Sequence, residues 1–557
     1  MENAQRALPV VDDDSRPFWE SGREGMLSIV SCRSCEALLH PPVPVCRYCR
    51  SENLGRRRVR GRGVVIGFAV NYQQWDPRFP PPYCVGLVAL DDDPRVRLTT
   101  NIVDVDIDEL RVGMRVEPRF ERCEDVWIPL YSPSGEADSP IPDDATPPSD
   151  HRRWVRPLVR AERFEDKVAL TGIGMSQIGR RLMRAPLSMT VEAAKAAVAD
   201  AGLQFADIDG LSTYPGGTPV GGFGEGGVSA LEDALGIRPT WYNGGGETFG
   251  PAGSVIAAML AVAAGLARHV LCFRTVWQAS YAARVRAEAS GDASPYGMPV
   301  SPGRVPGYSG PYGEGSAVIP LAMRASNHFA RYGTTRQTLG WIALTQRANA
   351  ALNPNAIYRD PLTMDAYLSA RMIASPLGLY DCDVPVDGSV AVIVSSIETA
   401  RDLACPPVLV EAVGTQITER ITWDQATMTH EPHTLGPSAH MWTRTSLKAS
   451  DIDVALLYDG FTFNCLSWLE ALGFCEIGGA RDFLEGGHNI AREGGIVALN
   501  PHGGQLSAGR THGMGLVHEA VAQLRHEGGA RQVGHARVAV VTSGGLTPGG
   551  VILLRTD

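Results

Sequence analysis

The cysteines Cys32, Cys35, Cys46 and Cys49 constrain the fold of this chain more tightly than any other feature. Their C-x2-C-x10-C-x2-C spacing lets two tight knuckles close round one metal ion, with the intervening hairpin bringing them together. Four thiolates in a tetrahedron suit structural zinc and leave no open position for catalysis. The alternative is a coincidental pair of knuckles, or a site without its metal. After this ribbon, residues 60–68, 83–89, 96–102 and 115–119 show the alternating, β-branched pattern of short strands between Asp, Pro and Gly turns. A small five-stranded barrel accommodates them, although one of its strands carries no clear signal.

At 557 residues the chain has room for more than one domain. A net charge of -10 argues against general affinity for nucleic acid or anionic membrane, both of which reward clustered Lys and Arg. The basic run from Arg56 to Arg62 is local, and reads as a solvated strand face or as a phosphate or CoA contact. The acidic residues Asp91, Asp92, Asp93 and the stretch Asp104 to Glu109 weaken a nucleic-acid reading of the barrel, which would need a basic groove with stacking aromatics. The first residues lack a signal-peptide plan, and the longest apolar stretch, Pro251 to Leu266, is rich in Ala and Gly and reads as a buried helix, not a membrane span. A cytoplasmic, reducing location is expected, with the eleven cysteines as free thiols or metal ligands.

Ser132 to Asp150 is rich in Pro, Ser and Asp and predicts an extended, solvated connector. The expected division is a helix and zinc ribbon over 1–60, a barrel over 61–131, a linker over 132–165 and a long α/β region over 166–557, in halves of about 166–405 and 406–557. In that region, strands at 168–172, 270–273, 408–412, 454–458, 536–542 and 550–555 alternate with helices at 190–201, 463–472 and 514–524, the pattern of layered α/β structure. The fold class expected is therefore multidomain: zinc ribbon, β-barrel, then two similar βαβ halves. Tyr458 ends an apolar strand ahead of a Gly and a helix, which puts its hydroxyl at a strand end, as an acid/base group or as a core hydrogen-bonding Tyr. Asp459 beside it either orients a catalytic group or caps the following helix.

Several segments carry a resemblance to known families. Phe18-Trp19-Glu20-Ser21-Gly22, the four cysteines, Gly61-Arg62-Gly63 and Pro81-Pro82-Tyr83 make residues 17–130 resemble the rubredoxin-type zinc ribbon plus OB-fold proteins that accompany acyl-CoA enzymes. Residues 167–557 resemble the sterol-carrier-protein type of thiolase. The segments that carry this are Asn353-Pro354-Asn355-Ala356, Arg371 to Leu377, Asp381-Cys382-Asp383 with Asp387-Gly388, Tyr458-Asp459-Gly460-Phe461, Glu470 to Cys475 and Asn500-Pro501-His502-Gly503-Gly504. The chain departs from that pattern where a thiolase keeps its nucleophile: Tyr242 to Gly250 has no cysteine, and Thr542-Ser543-Gly544 stands for the C-x-G loop. One branch of the family lacks both cysteines and works as aldolases on steroid-type acyl-CoA side chains, paired with a ribbon-barrel protein.

The resemblance implies retro-aldol cleavage of a β-hydroxyacyl-CoA, which needs a base, an acid and donors for an enolate oxygen but no covalent intermediate. It implies catalytic roles for Tyr458, Asp459, His502 and His512. Arg510 falls at the thiolase histidine position; always protonated, it can hold a thioester oxygen or a phosphate but cannot be a base, which makes His512 the base candidate. Gly503 and Gly504 let backbone approach a ligand, and Glu247 and Thr248 flank the lost nucleophile position. Cys272, Cys382, Cys465 and Cys475 read as buried structural thiols. The Gly- and Tyr-rich segment 307–315 is either a loop over an acyl tunnel or a surface turn. The implied ligands are structural zinc and a CoA thioester substrate, and the implied partners a twin subunit and a hydratase. A thiolase-like acyltransferase or condensing enzyme and a non-catalytic acyl-CoA or lipid scaffold are the alternative functions.

Overall fold

A computed structural model of the chain describes residues 6–143, 148–156, 158, 162–214, 221–245, 250–288, 304–305, 307–420, 422–544 and 548–557. The ribbon is a three-stranded antiparallel sheet of β1 (Leu27–Cys32), β2 (Leu38–Leu39) and β3 (Leu54–Val59). The basic run lies largely on β3, where Arg58 pairs with Glu24, and beyond it Arg62 pairs with Glu117 and Glu136. It is a solvated, ion-paired face.

The barrel comprises β4 (Gly63–Asn71), β5 (Tyr83–Leu90), β6 (Asp93–Thr100), β7 (Arg115–Cys123) and β8 (Val126–Pro133). β4 pairs with β5 and β7, β7 pairs with β8, and a bridge between Ile102 and Tyr131 brings β8 round to the end of β6. β8 is the strand without a sequence signal: it is buried on both faces and carries Pro129, so it shows no alternation.

Among the described residues, ten strands form the long mixed sheet. They begin with β9 (Val168–Met175), β10 (Gly210–Thr213), β11 (Trp241–Asn243) and β12 (His269–Trp277); the next two in the chain, β13 (Met372–Ser375) and β14 (Leu377–Gly378), belong to the barrel sheet instead. The rest are β15 (Asp387–Ser396), β16 (Val408–Gly414), β17 (Val454–Leu456), β18 (Ala498–Leu499), β19 (Val538–Ser543) and β20 (Gly550–Arg555). Read outward from the β9–β16 junction, one half runs β9-β15-β12-β10-β11 and the other β16-β20-β19-β17-β18. Each half therefore places its first, fifth, fourth, second and third strands in that order. The inner pairings are antiparallel and the outer ones parallel in both halves. This is the repeated α/β architecture expected from the sequence. Helix Pro251–Ala263 is largely buried against the sheet, and among the described residues no helix is long and apolar enough to cross a membrane.

Three segments make long-range contacts that no local sequence pattern encodes. First, β13 continues the barrel sheet, with Ala374 and Ser375 paired to Asn71 and Val70 of β4. Helix Val318–Tyr332 lies on the same strand: Ser326 Oγ accepts from the Phe68 N–H at 3.0 Å and Asn327 Nδ2 donates to the Ile66 carbonyl at 2.6 Å. Gly67 is required here, because a Cβ would come 2.5 Å from the Met323 carbonyl oxygen.

Second, the segment expected as a tunnel loop or surface turn docks on the module. Tyr308 stacks on Trp19 at 5.3 Å and meets Phe18 edge-on, and Tyr312 is buried in the barrel's apolar cluster. Third, just past the Pro- and Ser-rich stretch His151 is fully buried, with Nδ1 2.6 Å from Thr418 Oγ1 and its carbonyl accepting from Gln416 Nε2 at 2.8 Å.

Candidate active site

Backbone groups freed where β17 and β19 end are tied together by short polar side chains. Asn500 accepts from the Leu457 N–H at 2.9 Å and donates to the Leu457 carbonyl at 3.0 Å, while Thr542 Oγ1 accepts from the Tyr458 N–H at 2.8 Å. Asp459 Oδ2 accepts from the N–H groups of Gln505 at 2.8 Å and Leu506 at 3.4 Å. The loop 500–513 is thereby fastened beside Tyr458. Asp459 does not cap the following helix; Asn464 satisfies that N-terminus by accepting from the Phe461 N–H.

A second strip of backbone brings Asp383 to this place. Its N–H donates to the Gly460 carbonyl at 3.1 Å, and the Arg510 N–H donates to the Val384 carbonyl at 2.8 Å. Asp383 and Arg510 then face each other, with Arg510 Nη1 3.3 Å from Asp383 Oδ1 and its Nε donating to Gln278 Oε1 at 2.8 Å. Burial pushes the Asp383 carboxyl up to about 6, against the opposing pull of Arg510. Burial likewise raises the Tyr458 hydroxyl well above the ordinary tyrosine range, and the nearby Asp383 and Tyr214 add to the effect. Tyr458 is therefore a protonated donor at neutral pH, beside a carboxylate that is mostly ionised.

His512 joins the same cluster from the far end of the loop. It is held in the left-handed region, at φ +58°. Its ring stacks on Phe223 at 4.9 Å and lies parallel to the Tyr214 ring at 5.9 Å, and the Tyr214 hydroxyl donates to the His512 carbonyl at 2.8 Å. Arg274 of β12, 1% exposed, directs Nη2 to His512 Nδ1 at 2.9 Å, with its guanidinium over the Tyr214 and Phe223 rings. Burial, Arg274 and Arg510 together hold the His512 imidazole well below the ordinary histidine range.

The structure thus brings together Tyr458, Arg510 and His512, and adds Asp383, Arg274 and Tyr214. Asp383 stands in a segment that carries the family resemblance. Arg274 is the lone Arg or Lys in the mostly apolar strand His269–Trp277, a signal legible in the sequence.

Other expected residues lie elsewhere. His502 sits near Arg531, its carbonyl accepting from Asn353 Nδ2 at 2.9 Å, and burial pushes its imidazole down to about 3. A Cβ at Gly503 would meet Ala350, and one at Gly504 would meet the Asp459 carboxylate and Gln346. Their small size lets the loop sit on helix Arg336–Ala351 and on Asp459. Asp459, pushed up to about 7 by burial, anchors the loop from beneath. Glu247 and Thr248 lie outside the described residues. Gly250, just after them, closes on β19, where a Cβ would come 2.5 Å from Ser543 Oγ. Cys272, Cys382, Cys465 and Cys475 are all pushed up by burial, which disfavours the thiolate a nucleophile needs.

At the ribbon, the four cysteine Sγ atoms all lie within 4.8 Å of one another, with Cys32–Cys49 at 3.5 Å and Cys35–Cys46 at 3.6 Å. A tetrahedral zinc with Zn–S bonds of about 2.3 Å needs sulfur separations of about 3.8 Å, so the cradle fits that ion.

Comparison with known proteins agrees with both parts. Residues 19–55 match the family described as the ChsH2 rubredoxin-like zinc ribbon domain, 56–121 the ChsH2 C-terminal OB-fold domain, and 417–552 a thiolase C-terminal domain-like family. The chain is 33% identical over 402 residues to a steroid side-chain-cleaving aldolase of Thermomonospora curvata, covering 70% of this chain and 98% of that one. It is also 33% identical over 403 residues to a 17-hydroxy-3-oxo-4-pregnene-20-carboxyl-CoA lyase of Mycobacterium tuberculosis, covering 70% and 99%. A solved Ltp2-ChsH2(DUF35) aldolase superposes with a TM-score of 0.61 at 31% identity, covering 70% of this chain and 98% of that one.

Proposed function

Because this chain belongs to the family of steroid side-chain-cleaving aldolases, we propose that it cleaves a carbon–carbon bond in a β-hydroxyacyl-CoA with a bulky, steroid-type acyl chain. The products are a ketone or aldehyde and a shorter acyl-CoA. The observation that carries this reading is the cluster of Tyr458, Asp383 and Arg510, an acid, a carboxylate and a fixed cation assembled at one place, where burial keeps the neighbouring Cys382 thiol protonated.

In that cluster Asp383, ionised at neutral pH, takes the β-hydroxyl proton. The carbon–carbon bond breaks and its electron pair moves through the α-carbon onto the thioester oxygen, which Arg510 holds. Tyr458 gives its proton to the α-carbon and recovers one from Asp383, so the site returns to its starting state. Asp459 and His502 serve the loop, and Glu247 and Thr248 act in substrate binding.

Zinc at Cys32, Cys35, Cys46 and Cys49 is structural, and a reducing, cytoplasmic setting fits a chain whose eleven cysteines are free of disulfides. The same reading gives the chain a twin, joined through the thiolase-like region, and a hydratase that supplies the β-hydroxyacyl-CoA. Sedimentation equilibrium tests the first, and co-elution with a hydratase the second.

Incubation with steroid-type β-hydroxyacyl-CoAs tests the activity. Release of a ketone or aldehyde with a short acyl-CoA supports it, whereas thiolytic cleavage that consumes free CoA, or tight binding without turnover, contradicts it.

A further inference from the structure

We infer that Arg274 is a positioning residue that fixes His512 in one tautomer, so that His512 presents Nε2–H to the site as a hydrogen-bond donor and does not act as a base. The inference rests on the cluster proposed above as the reaction site, but its first test is independent of any activity.

A guanidinium only donates. With Arg274 Nη2 2.9 Å from His512 Nδ1, that nitrogen must be the acceptor, and the proton of a neutral imidazole is left on Nε2. The geometry allows little escape. Arg274 is buried within β12, with the rings of Tyr214 and Phe223 against its guanidinium. The Tyr214 hydroxyl holds the His512 backbone, and the two rings hold the imidazole.

The charges around His512 point the same way. Arg274 comes from β12, Arg510 from its own loop, Tyr214 from the end of β10, and Tyr458 and the Asp383 carboxylate complete the cluster. Glu225, near Arg274, balances part of its charge. Two guanidinium groups beside the ring oppose a second proton on it. His512 therefore stays neutral with a fixed donor, the form suited to holding charge that develops on a substrate oxygen without exchanging a proton with it. Arg510 then holds one side of that oxygen's charge and His512 is free to hold another.

Histidine-selective 15N NMR of the full chain at neutral pH tests the tautomer, with the His512 resonance assigned by its loss in His512→Asn. Wild type is expected to show an unprotonated Nδ1 and a protonated Nε2. An Nδ1–H tautomer or an imidazolium in wild type would overturn the inference whatever the variants do. Arg274→Met is expected to mix the tautomers and lower kcat about 10-fold or more with KM changed less than about twofold. Arg274→Lys keeps a donor and should keep the wild-type tautomer. An unchanged tautomer in Arg274→Met contradicts the inference.

Discussion

Arg510 Nη1 stands 3.3 Å from Asp383 Oδ1 in the cluster that holds Tyr458. The pair couples protonation of one group to the position of the other. As the pH falls through about 6, Asp383 takes up a proton, and both the base and the partner of Arg510 are lost. The expected outcome is a kcat/KM that falls on the acid side with a midpoint near that value. Asp383→Asn should remove the acid limb and lower kcat at least about 100-fold. A pH–rate profile of the two proteins checks this, and an unchanged acid limb in the variant would assign it to another group.

Asp459 should show its effect in stability. Its folded value of about 7 lies above the ordinary 3.8, so the folded protein keeps a proton that the unfolded chain releases. That contribution is fully present below 3.8 and is lost as the pH rises to about 7. Asp459→Asn, neutral throughout and still able to accept from the N–H groups of Gln505 and Leu506, should gain stability relative to wild type between about pH 4 and pH 8. Denaturant midpoints at the two pH values measure the difference. A constant difference would mean that Asp459 is ionised in the folded state.

The module's grip on the long sheet predicts that a barrel residue governs turnover. Arg97 of β6, 4% exposed, donates from Nη1 to the Ala426 carbonyl at 2.5 Å, while its backbone carbonyl accepts from Gln425 Nε2 at 2.8 Å. The segment it holds leads to Glu431, a fully buried carboxylate whose charge acts on Tyr458. Arg97→Ala should destabilise the protein by about 1–3 kcal/mol and lower kcat several-fold while zinc content stays unchanged. Turnover equal to wild type in a folded variant would separate the barrel from the chemistry.

These contacts explain what the sequence could and could not disclose. The ribbon was legible because its four ligands lie within one short stretch, and the repeated halves because strands buried on both faces read as apolar runs. The pairing of Ala374 with Asn71, and the docking of Tyr308 on Trp19, join segments about 300 residues apart, which no local periodicity encodes. The site was half legible for a related reason. Tyr458, Arg510 and His512 stand in recognisable motifs, but the Arg274–His512 contact crosses the sheet from one half to the other. Gly503 and Gly504 show the same limit, because a glycine pair reads the same whether it admits a ligand or a neighbouring helix.

Zinc removal should act through structure alone. Tyr48, between Cys46 and Cys49, accepts from Arg420 Nη2 at 2.7 Å, and the Arg95 guanidinium lies 4.3 Å from its ring. Cys46→Ser should lower bound zinc well below one ion per chain and lower Tm by several degrees. The readouts are metal analysis and calorimetry. Full stability without zinc would place the ribbon outside the cooperative fold.

The central claim is that carbon–carbon cleavage proceeds here without any bond between substrate and protein. Intact-protein mass spectrometry of samples quenched during turnover with a steroid-type β-hydroxyacyl-CoA tests it most directly. The account predicts the unmodified chain mass at every time point while ketone and short acyl-CoA accumulate together. An adduct of acyl mass that forms and decays at the rate of turnover would contradict it.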